Sequence, residues 1–185
     1  MRVIAGKARS LRLKTPAGTE VRPTTDRIKE TLFNIIQAQV PGSLFIDLFA
    51  GSGGIGIEAL SRGARYAYFA DNSTEAAACI RDNLTFTKLS DNAALLRQDA
   101  ALALRQINEK EADIIFMDPP YQSGCEEGVF GTLREMPYVT ENTMIILEAE
   151  VRKDMDFLED MGFEVVREKK YRTNKHVFIR KRGKL

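Results

Sequence analysis

Short, continuously apolar segments alternate with helical segments through the middle of this chain of 185 residues. The apolar segments begin at Leu44, Tyr66, Ala94, Ile114 and Met144. Strands without polar alternation are typical of a parallel sheet that helices cover on both faces. The sequence therefore predicts one α/β domain with a mainly parallel sheet.

The two ends of the chain follow a different pattern. Residues 2–14 alternate apolar and basic side chains, which predicts a short hairpin with one basic face. Near the other end, segments beginning at Phe163 and His176 flank a basic turn and predict an antiparallel pair at the sheet edge. We expect a basic hairpin extension over residues 1–20 and the main domain over 21–185.

Composition restricts the possible classes of protein. Hydrophobic residues are 44% and charged residues 29% of the chain, as in ordinary globular proteins. No apolar run approaches the ~20 residues of a bilayer span, and the first residues lack the apolar core of a signal peptide. Cys79 and Cys125 are not spaced as metal ligands or as a disulfide pair, which favours the cytoplasm. The single histidine, His176, argues against a histidine triad or metal site, and we expect no metal.

Charge is strongly segregated although the net charge is only +1. Residues 1–29 hold eight Lys and Arg against two acidic residues, and residues 164–185 hold nine against two. The segment 30–163 holds ten basic and 22 acidic residues. Basic ends on an acidic body favour a polyanion held by the ends, although charged termini can also serve solubility alone.

A glycine-rich loop lies between the first strand and the next helix. Gly51, Gly53 and Gly56 fit G-x-G-x-x-G, and Asp71 ends the following strand at the spacing of a ribose-binding acid. These features suit any adenosine-containing cofactor. Asp47, just before the loop, would repel a pyrophosphate but would suit the ammonium group of a methionine moiety.

Two of the acidic positions also permit ordinary structural roles. Asp71 could cap a helix or lie in a solvated turn. Asp99, which ends the third strand, could bind an adenine amino group or cap the following helix.

Asp118-Pro119-Pro120-Tyr121 follows a buried strand directly. The two prolines stiffen the turn and remove two N–H groups. A carboxylate and a rigid carbonyl can accept both hydrogens of an exocyclic amine and aim its lone pair at a methyl group. Tyr121 can stack on the base, a contact worth about 1–3 kcal/mol.

The glycine loop and the Asp-Pro-Pro-Tyr turn together resemble class I S-adenosylmethionine-dependent amino-methyltransferases. The segments Arg2-Val-Ile-Ala-Gly-Lys, Arg22-Pro-Thr-Thr-Asp-Arg and Glu30-Thr-Leu-Phe-Asn resemble the RsmD-type enzymes, which methylate the N2 amine of one guanine in bacterial 16S ribosomal RNA. The segment 171–176 departs from the family pattern. The resemblance implies a Rossmann-like, seven-stranded, mainly parallel sheet with one antiparallel edge strand and a small N-terminal β-hairpin.

The resemblance also implies residue roles and a ribosomal RNA substrate, either naked or within an assembled or assembling small subunit. We expect the protein to be a monomer. The S-adenosylmethionine-binding set is Asp47, Phe49, Gly51, Gly53, Asp71, Asn72, Asp99 and Ala100. The set that holds the target guanine is Asp118, Pro119 and Tyr121. The RNA-binding set combines Arg22, Thr24 and Arg27, which the resemblance implies close over the site, with Arg9 and Arg12, which the basic hairpin and the segregation of charge predict contact RNA phosphates. Phe33 and Phe49 could each belong either to the core or to the wall of the cofactor site.

Three alternatives remain open at this point. A DNA adenine or cytosine amino-methyltransferase would share the chemistry, but it needs groove-reading surface that this chain has little room for. A nicotinamide oxidoreductase would explain the glycines but not Asp47 or the Asp-Pro-Pro-Tyr turn. An inactive RNA-binding module would leave the chemical residues unexplained.

Overall fold

A single seven-stranded sheet forms the centre of the protein. The structure, a computed structural model, describes residues 1–16, 26–120 and 124–183. The strands are β1 (Leu44–Leu48), β2 (Tyr66–Ala70), β3 (Ala93–Leu96), β4 (Ile114–Met117), β5 (Met144–Glu150), β6 (Phe163–Lys170) and β7 (Asn174–Lys181). Their order in the sheet is β3-β2-β1-β4-β5-β7-β6.

Six of the seven strands run in the same direction, and the reversed strand is β7. It pairs antiparallel with β5 on one side and with β6 on the other. The expected antiparallel pair at the sheet edge is thus confirmed, and β6 is the edge strand itself. The predicted α/β fold with a mainly parallel sheet is also confirmed.

Helices cover both faces of the sheet and define two apolar cores. They are α1 (Asp26–Ile36), α2 (Gly54–Ser61), α3 (Thr74–Thr87), α4 (Ala100–Gln106), α5 (Glu126–Glu135) and α6 (Phe157–Asp160). The core on one face contains side chains of α1, α2 and α3, and the other contains side chains of α4, α5 and α6. Phe33 is fully buried beside Phe45 in the first core, so it is a core residue. No helix within the described ranges is both long and apolar enough to cross a membrane.

The last helix is shorter than the sequence pattern indicates. The sequence pattern predicts a helix over about 153–160, but α6 begins at Phe157. The Asp154 side chain accepts the backbone N–H of Asp156 at 2.8 Å. Such a local turn competes with the helical hydrogen-bond pattern, which explains the later start.

The N-terminal hairpin is held tightly against α2. Its antiparallel pairing is one bridge between Arg2 and Arg12. The Glu58 carboxylate on α2 accepts the backbone N–H groups of Ile4 at 2.8 Å and Ala5 at 3.0 Å. The hairpin therefore packs on the sheet-covering helices. The proposed boundary near residue 20 lies outside the described residues, so the division into two parts stays a prediction.

Glu58 also joins a buried network of charges. Its carboxylate lies 3.3 Å from Lys29 Nζ and accepts a hydrogen bond from Arg62 Nε at 2.7 Å. Lys29 donates a further hydrogen bond to the Arg2 carbonyl at 2.6 Å. Burial lowers the Lys29 pKa, and the adjacent Glu58 carboxylate opposes that shift. The network links α1, α2 and the hairpin.

Candidate active site

The carboxyl ends of the parallel strands open into one cavity of about 760 Å³. Ligands in open α/β folds bind at this edge. Most of the predicted cofactor and target-base residues line the cavity, namely Asp47, Phe49, Gly51, Asp71, Asn72, Asp99, Ala100, Asp118 and Pro119. Strand order explains this grouping, because β2, β1, β4 and β5 are direct neighbours.

The glycine loop turns the chain sharply from β1 into α2. Phe49, Gly51 and Gly53 have φ angles of 58°, 55° and 75°, in the left-handed region. A Cβ on Gly51 would meet no atom within 4 Å, so the loop backbone is open there. A Cβ on Gly56 would lie 2.3 Å from the Phe69 ring, so the third glycine permits α2 to approach β2.

Gly53 has a different environment from Gly51. It does not line the cavity. A Cβ there would point into the core, 3.3 Å from Ile80 and Phe69. Its part in cofactor binding stays a prediction, and the geometry supports a part in shaping the turn at the start of α2.

Asp47 is the most deeply buried carboxyl group of the loop region. Only 1% of the residue is exposed, and its Oδ2 accepts the Gly56 N–H at 2.8 Å. Burial raises the pKa of Asp47 to about 8; the Gly56 hydrogen bond opposes this shift, and the nearby Asp71 carboxylate adds to it. A buried acidic group of this kind favours a cationic ligand, whose charge stabilises the carboxylate.

Asp71 is held in position by backbone donors. Its Oδ2 accepts the Gly51 N–H and its Oδ1 accepts the Ser73 N–H, both at 2.9 Å. These bonds join the end of β2 to the glycine loop and leave further lone pairs for a ribose hydroxyl. This geometry permits Asp71 to be a turn residue and a ribose ligand at the same time.

Asp99 caps α4, as one of the two alternatives predicted. Its Oδ1 accepts the Ala101 N–H at 2.9 Å, while the residue also lines the cavity beside Ala100. Gln98 lines the same end of the cavity, and its Nε2 is buried without a hydrogen-bond partner among the described residues. A ligand with an acceptor atom would satisfy this amide, as an adenine ring can.

Asp118 and Pro119 close the opposite end of the cavity, directly after β4. Burial raises the pKa of Asp118 well above its usual range, and the carboxylates of Glu148 and Asp47 contribute to the increase. An uncharged or cation-neutralised state is therefore favoured in this region. Tyr121, the expected stacking residue, lies outside the described residues.

Glu148 is a cavity residue that the motif search missed. It follows the apolar part of β5, as Asp118 follows β4. The rule that strand ends meet at one edge, applied to β5, would have found it. Asn174 lines the cavity as well, but it lies on the reversed strand β7, which carries no motif.

Of the predicted RNA-binding residues, the structure describes Arg9 and Arg12 in the hairpin and Arg27 near it. Arg9 and Arg27 line a second depression of about 420 Å³, together with Arg2, whose Nε is 3.0 Å from the Asp26 carboxylate. Arg12 is exposed in the hairpin bridge. Arg22 and Thr24 lie outside the described residues, so their predicted closure over the site remains a prediction.

Comparison with solved structures identifies the class of protein. The chain matches "Putative methyltransferase yhhF from Escherichia coli" with a TM-score of 0.86 and 29% identity, covering 100% of this chain and 99% of that chain. The fold is that of the Rossmann-like class I methyltransferases.

Comparison of sequences identifies the family. A family model described as "Conserved hypothetical protein 95" matches residues 1–180. "Putative rRNA methyltransferase YlbH" of Bacillus subtilis is 37% identical over 186 residues, 99% of this chain and 100% of that protein. "Ribosomal RNA small subunit methyltransferase D" of Haemophilus influenzae is 34% identical over 171 residues, 91% of this chain and 88% of that protein. The chain belongs to this RsmD-type methyltransferase family, as its motifs indicated.

Proposed function

We propose that this protein transfers a methyl group from S-adenosylmethionine to the N2 amine of a guanine in small-subunit ribosomal RNA. The observation that carries the proposal is the position of Asp118 and Pro119 in the same cavity as Asp47, Asp71 and Asp99. One compartment thus offers places for a cationic nucleoside cofactor and for an exocyclic amine. The names of the relatives support ribosomal RNA as the substrate.

The residues along the cavity fit S-adenosylmethionine. Asp47 would hold the ammonium group, Asp71 the ribose, and Gln98 with Asp99 the adenine. The buried Asp47 carboxylate opposes the pyrophosphate of a nicotinamide dinucleotide, because like charges at a buried site destabilise each other. When bound, the cofactor supplies an electrophilic methyl group on a sulfonium.

Asp118 and the Pro119 carbonyl would hold the amine of the target base. Two acceptors on one amine favour a pyramidal nitrogen whose lone pair points away from them. The nitrogen loses one hydrogen as a proton when its new bond to carbon forms, and Asp118, with its raised pKa, is suited to accept it. Most of the acceleration would come from alignment of the two reactants at about 3–3.5 Å.

The recessed position of these acceptors restricts the RNA. Pro119 is buried, and an amine within a base-paired helix could not reach it. The target guanine must therefore be unpaired or rotated out of its stack. Tyr121 would stack on it, while Arg9 and Arg12 would contact phosphates, and Arg22, Thr24 and Arg27 would close over the bound nucleotide.

Transfer of a tritiated methyl group tests the proposal. The protein is incubated with labelled cofactor and ribosomal RNA, small ribosomal subunits or DNA, and the product nucleosides are separated. We expect N2-methylguanosine from RNA or subunits and no labelled nucleoside from DNA. Label in adenosine or in DNA would refute the proposed function, and Asp118→Ala serves as the inactive control.

A further inference from the structure

We propose that Glu148 recognises the ring N1–H of the target guanine and thereby selects guanine over adenine-like bases. This inference rests on the proposed function, because it requires a guanine whose N2 amine is held by Asp118. It adds a second carboxylate at the target-base end of the cavity, outside every motif of the sequence.

Strand register places Glu148 beside Asp118. Strands β4 and β5 are parallel neighbours, and Met117 is the register partner of Leu147. Asp118 and Glu148 are the next residues on the two strands, and both line the cavity. The Glu148 charge also contributes to the raised pKa of Asp118, which agrees with a short separation.

Two side chains of β7, Asn174 and His176, hold Glu148 directly, and Tyr171, just before β7, contacts His176. Asn174 Nδ2 donates to its Oε1 at 2.6 Å, and His176 Nε2 lies 3.2 Å from its Oε2. Tyr171 Oη lies 3.1 Å from His176 Nδ1. A neutral imidazole with its proton on Nε2 satisfies both contacts, because the tyrosine hydroxyl then donates to Nδ1 and Nε2–H donates to Glu148.

These contacts keep the Glu148 carboxylate an acceptor with a fixed orientation. Each oxygen takes one hydrogen bond from the β7 side and retains a further lone pair. Asn174 itself lines the cavity, so the network lies at the cavity wall and not deep in the core. A buried carboxylate with two fixed donors behind it is arranged to accept a third hydrogen bond from a ligand.

The chemistry of the bases determines what that ligand atom is. Guanine presents its N1–H and its N2 amine side by side, both as donors, so two adjacent acceptors match it. Adenine presents an unprotonated N1 next to its amine, which would face the Glu148 carboxylate lone pair to lone pair. A site built to accept a hydrogen bond rejects an analogue that lacks the donor, since the buried acceptor is left unpaired.

The base analogue 2-aminopurine keeps the N2 amine but lacks both the N1 hydrogen and the O6 oxygen of guanine, so the comparison of wild type with a Glu148 variant assigns the effect to the N1 contact. The methylated guanine is first mapped with the native enzyme. A ribosomal RNA carrying either guanine or 2-aminopurine at that position is then assembled by ligation and, where the enzyme requires it, reconstituted into small subunits. Single-turnover rates are measured for wild type, Glu148→Gln and the matched control Glu150→Gln, which changes an exposed glutamate of the same strand.

We expect wild type to prefer guanine over 2-aminopurine by at least ~10-fold, the scale of one buried hydrogen-bond donor. Glu148→Gln should be slower on guanine and should lose that preference, because its amide can donate to the free N1 of 2-aminopurine. Glu150→Gln should keep the wild-type preference. Fluorescence of the 2-aminopurine RNA bound with S-adenosylhomocysteine gives its affinity independently of turnover, and we expect Glu148→Gln to bind this RNA more tightly than wild type does.

The outcomes separate the two proposals. A wild-type enzyme without activity on any RNA guanine would overturn the proposed function and this inference together. An active wild type without a preference between guanine and 2-aminopurine would overturn only the role of Glu148, and no variant is needed to see it. A Glu148→Gln protein that retains cofactor affinity and the full preference would do the same.

Discussion

Replacement of Asp47 by asparagine tests how much the burial of this carboxyl group lowers the free energy of unfolding. Asp47 is buried, and its Oδ2 accepts the Gly56 N–H at 2.8 Å, a bond that an asparagine carbonyl can also accept. Burial raises its pKa from 3.8 to about 8. Between these values the folded protein holds a proton that the unfolded chain has released.

The sign and size of the effect follow from this difference. Because the folded state binds more protons, the free energy of unfolding falls as pH rises through the interval, by up to about 1.4 kcal/mol per pH unit. From 3.8 to pH 7 the loss reaches at most about 4 kcal/mol. We expect Asp47→Asn to be more stable than wild type by about 1–4 kcal/mol at pH 7 and by little near pH 4.

Urea unfolding of both proteins at several pH values measures this difference. Asp91→Asn, at an exposed residue, is the matched control and should leave the pH dependence unchanged. Added S-adenosylmethionine should stabilise wild type by about 2.7 kcal/mol at a hundredfold excess over its Kd and should not stabilise Asp47→Asn. An Asp47→Asn advantage that is equal at all pH values, or a variant less stable than wild type at pH 7, would refute the electrostatic reasoning.

Four further predictions concern single positions. Asp118→Ala should keep cofactor affinity by calorimetry while the single-turnover rate falls at least ~100-fold; the wild-type rate should rise with pH, because the raised pKa of Asp118 delays its ionisation. Tyr121→Phe should retain most activity and Tyr121→Ala should weaken RNA binding, since stacking requires the ring, and a Tyr121→Phe protein without activity would contradict this. Gly56→Ala should lower stability by about 1–3 kcal/mol in urea unfolding, because the new Cβ would lie 2.3 Å from the Phe69 ring. Glu58→Ala should cost about 3–5 kcal/mol, since it leaves a buried lysine unpaired, and hydrogen exchange at the hairpin amides should accelerate.

Local sequence predicts much of this site because the fold brings strand ends together. Asp47 lies near the end of β1, and Asp71, Asp99 and Asp118 follow the next strands; neighbouring parallel strands place all four at one edge of the sheet. Glu148 follows the apolar part of β5 in the same way. No sequence motif includes it, so motifs alone do not predict its place in the cavity.

Long-range contacts could not be predicted from local patterns. The pairing of Glu148 with His176 depends on the register between β5 and the reversed strand β7, which the sequence of neither strand specifies. The attachment of the hairpin depends on Glu58 and Ser61, the two polar side chains of a mostly apolar helix. The alternating pattern of residues 2–14 predicted the hairpin but not the helix on which it packs.

The segregation of charge agrees with the different requirements of the proposed ligands: the cofactor and the target base on one side, and the RNA phosphates on the other. A cationic cofactor and the donor edge of guanine both favour an acidic cavity, and Asp47, Asp118 and Glu148 line it. RNA phosphates would be repelled from the same cavity, so the backbone must be held elsewhere by basic groups, as the charge of residues 1–29 and 164–185 allows. Only a base extended away from its phosphates could then enter, so the charge distribution itself would favour an unpaired or rotated nucleotide over a stacked one.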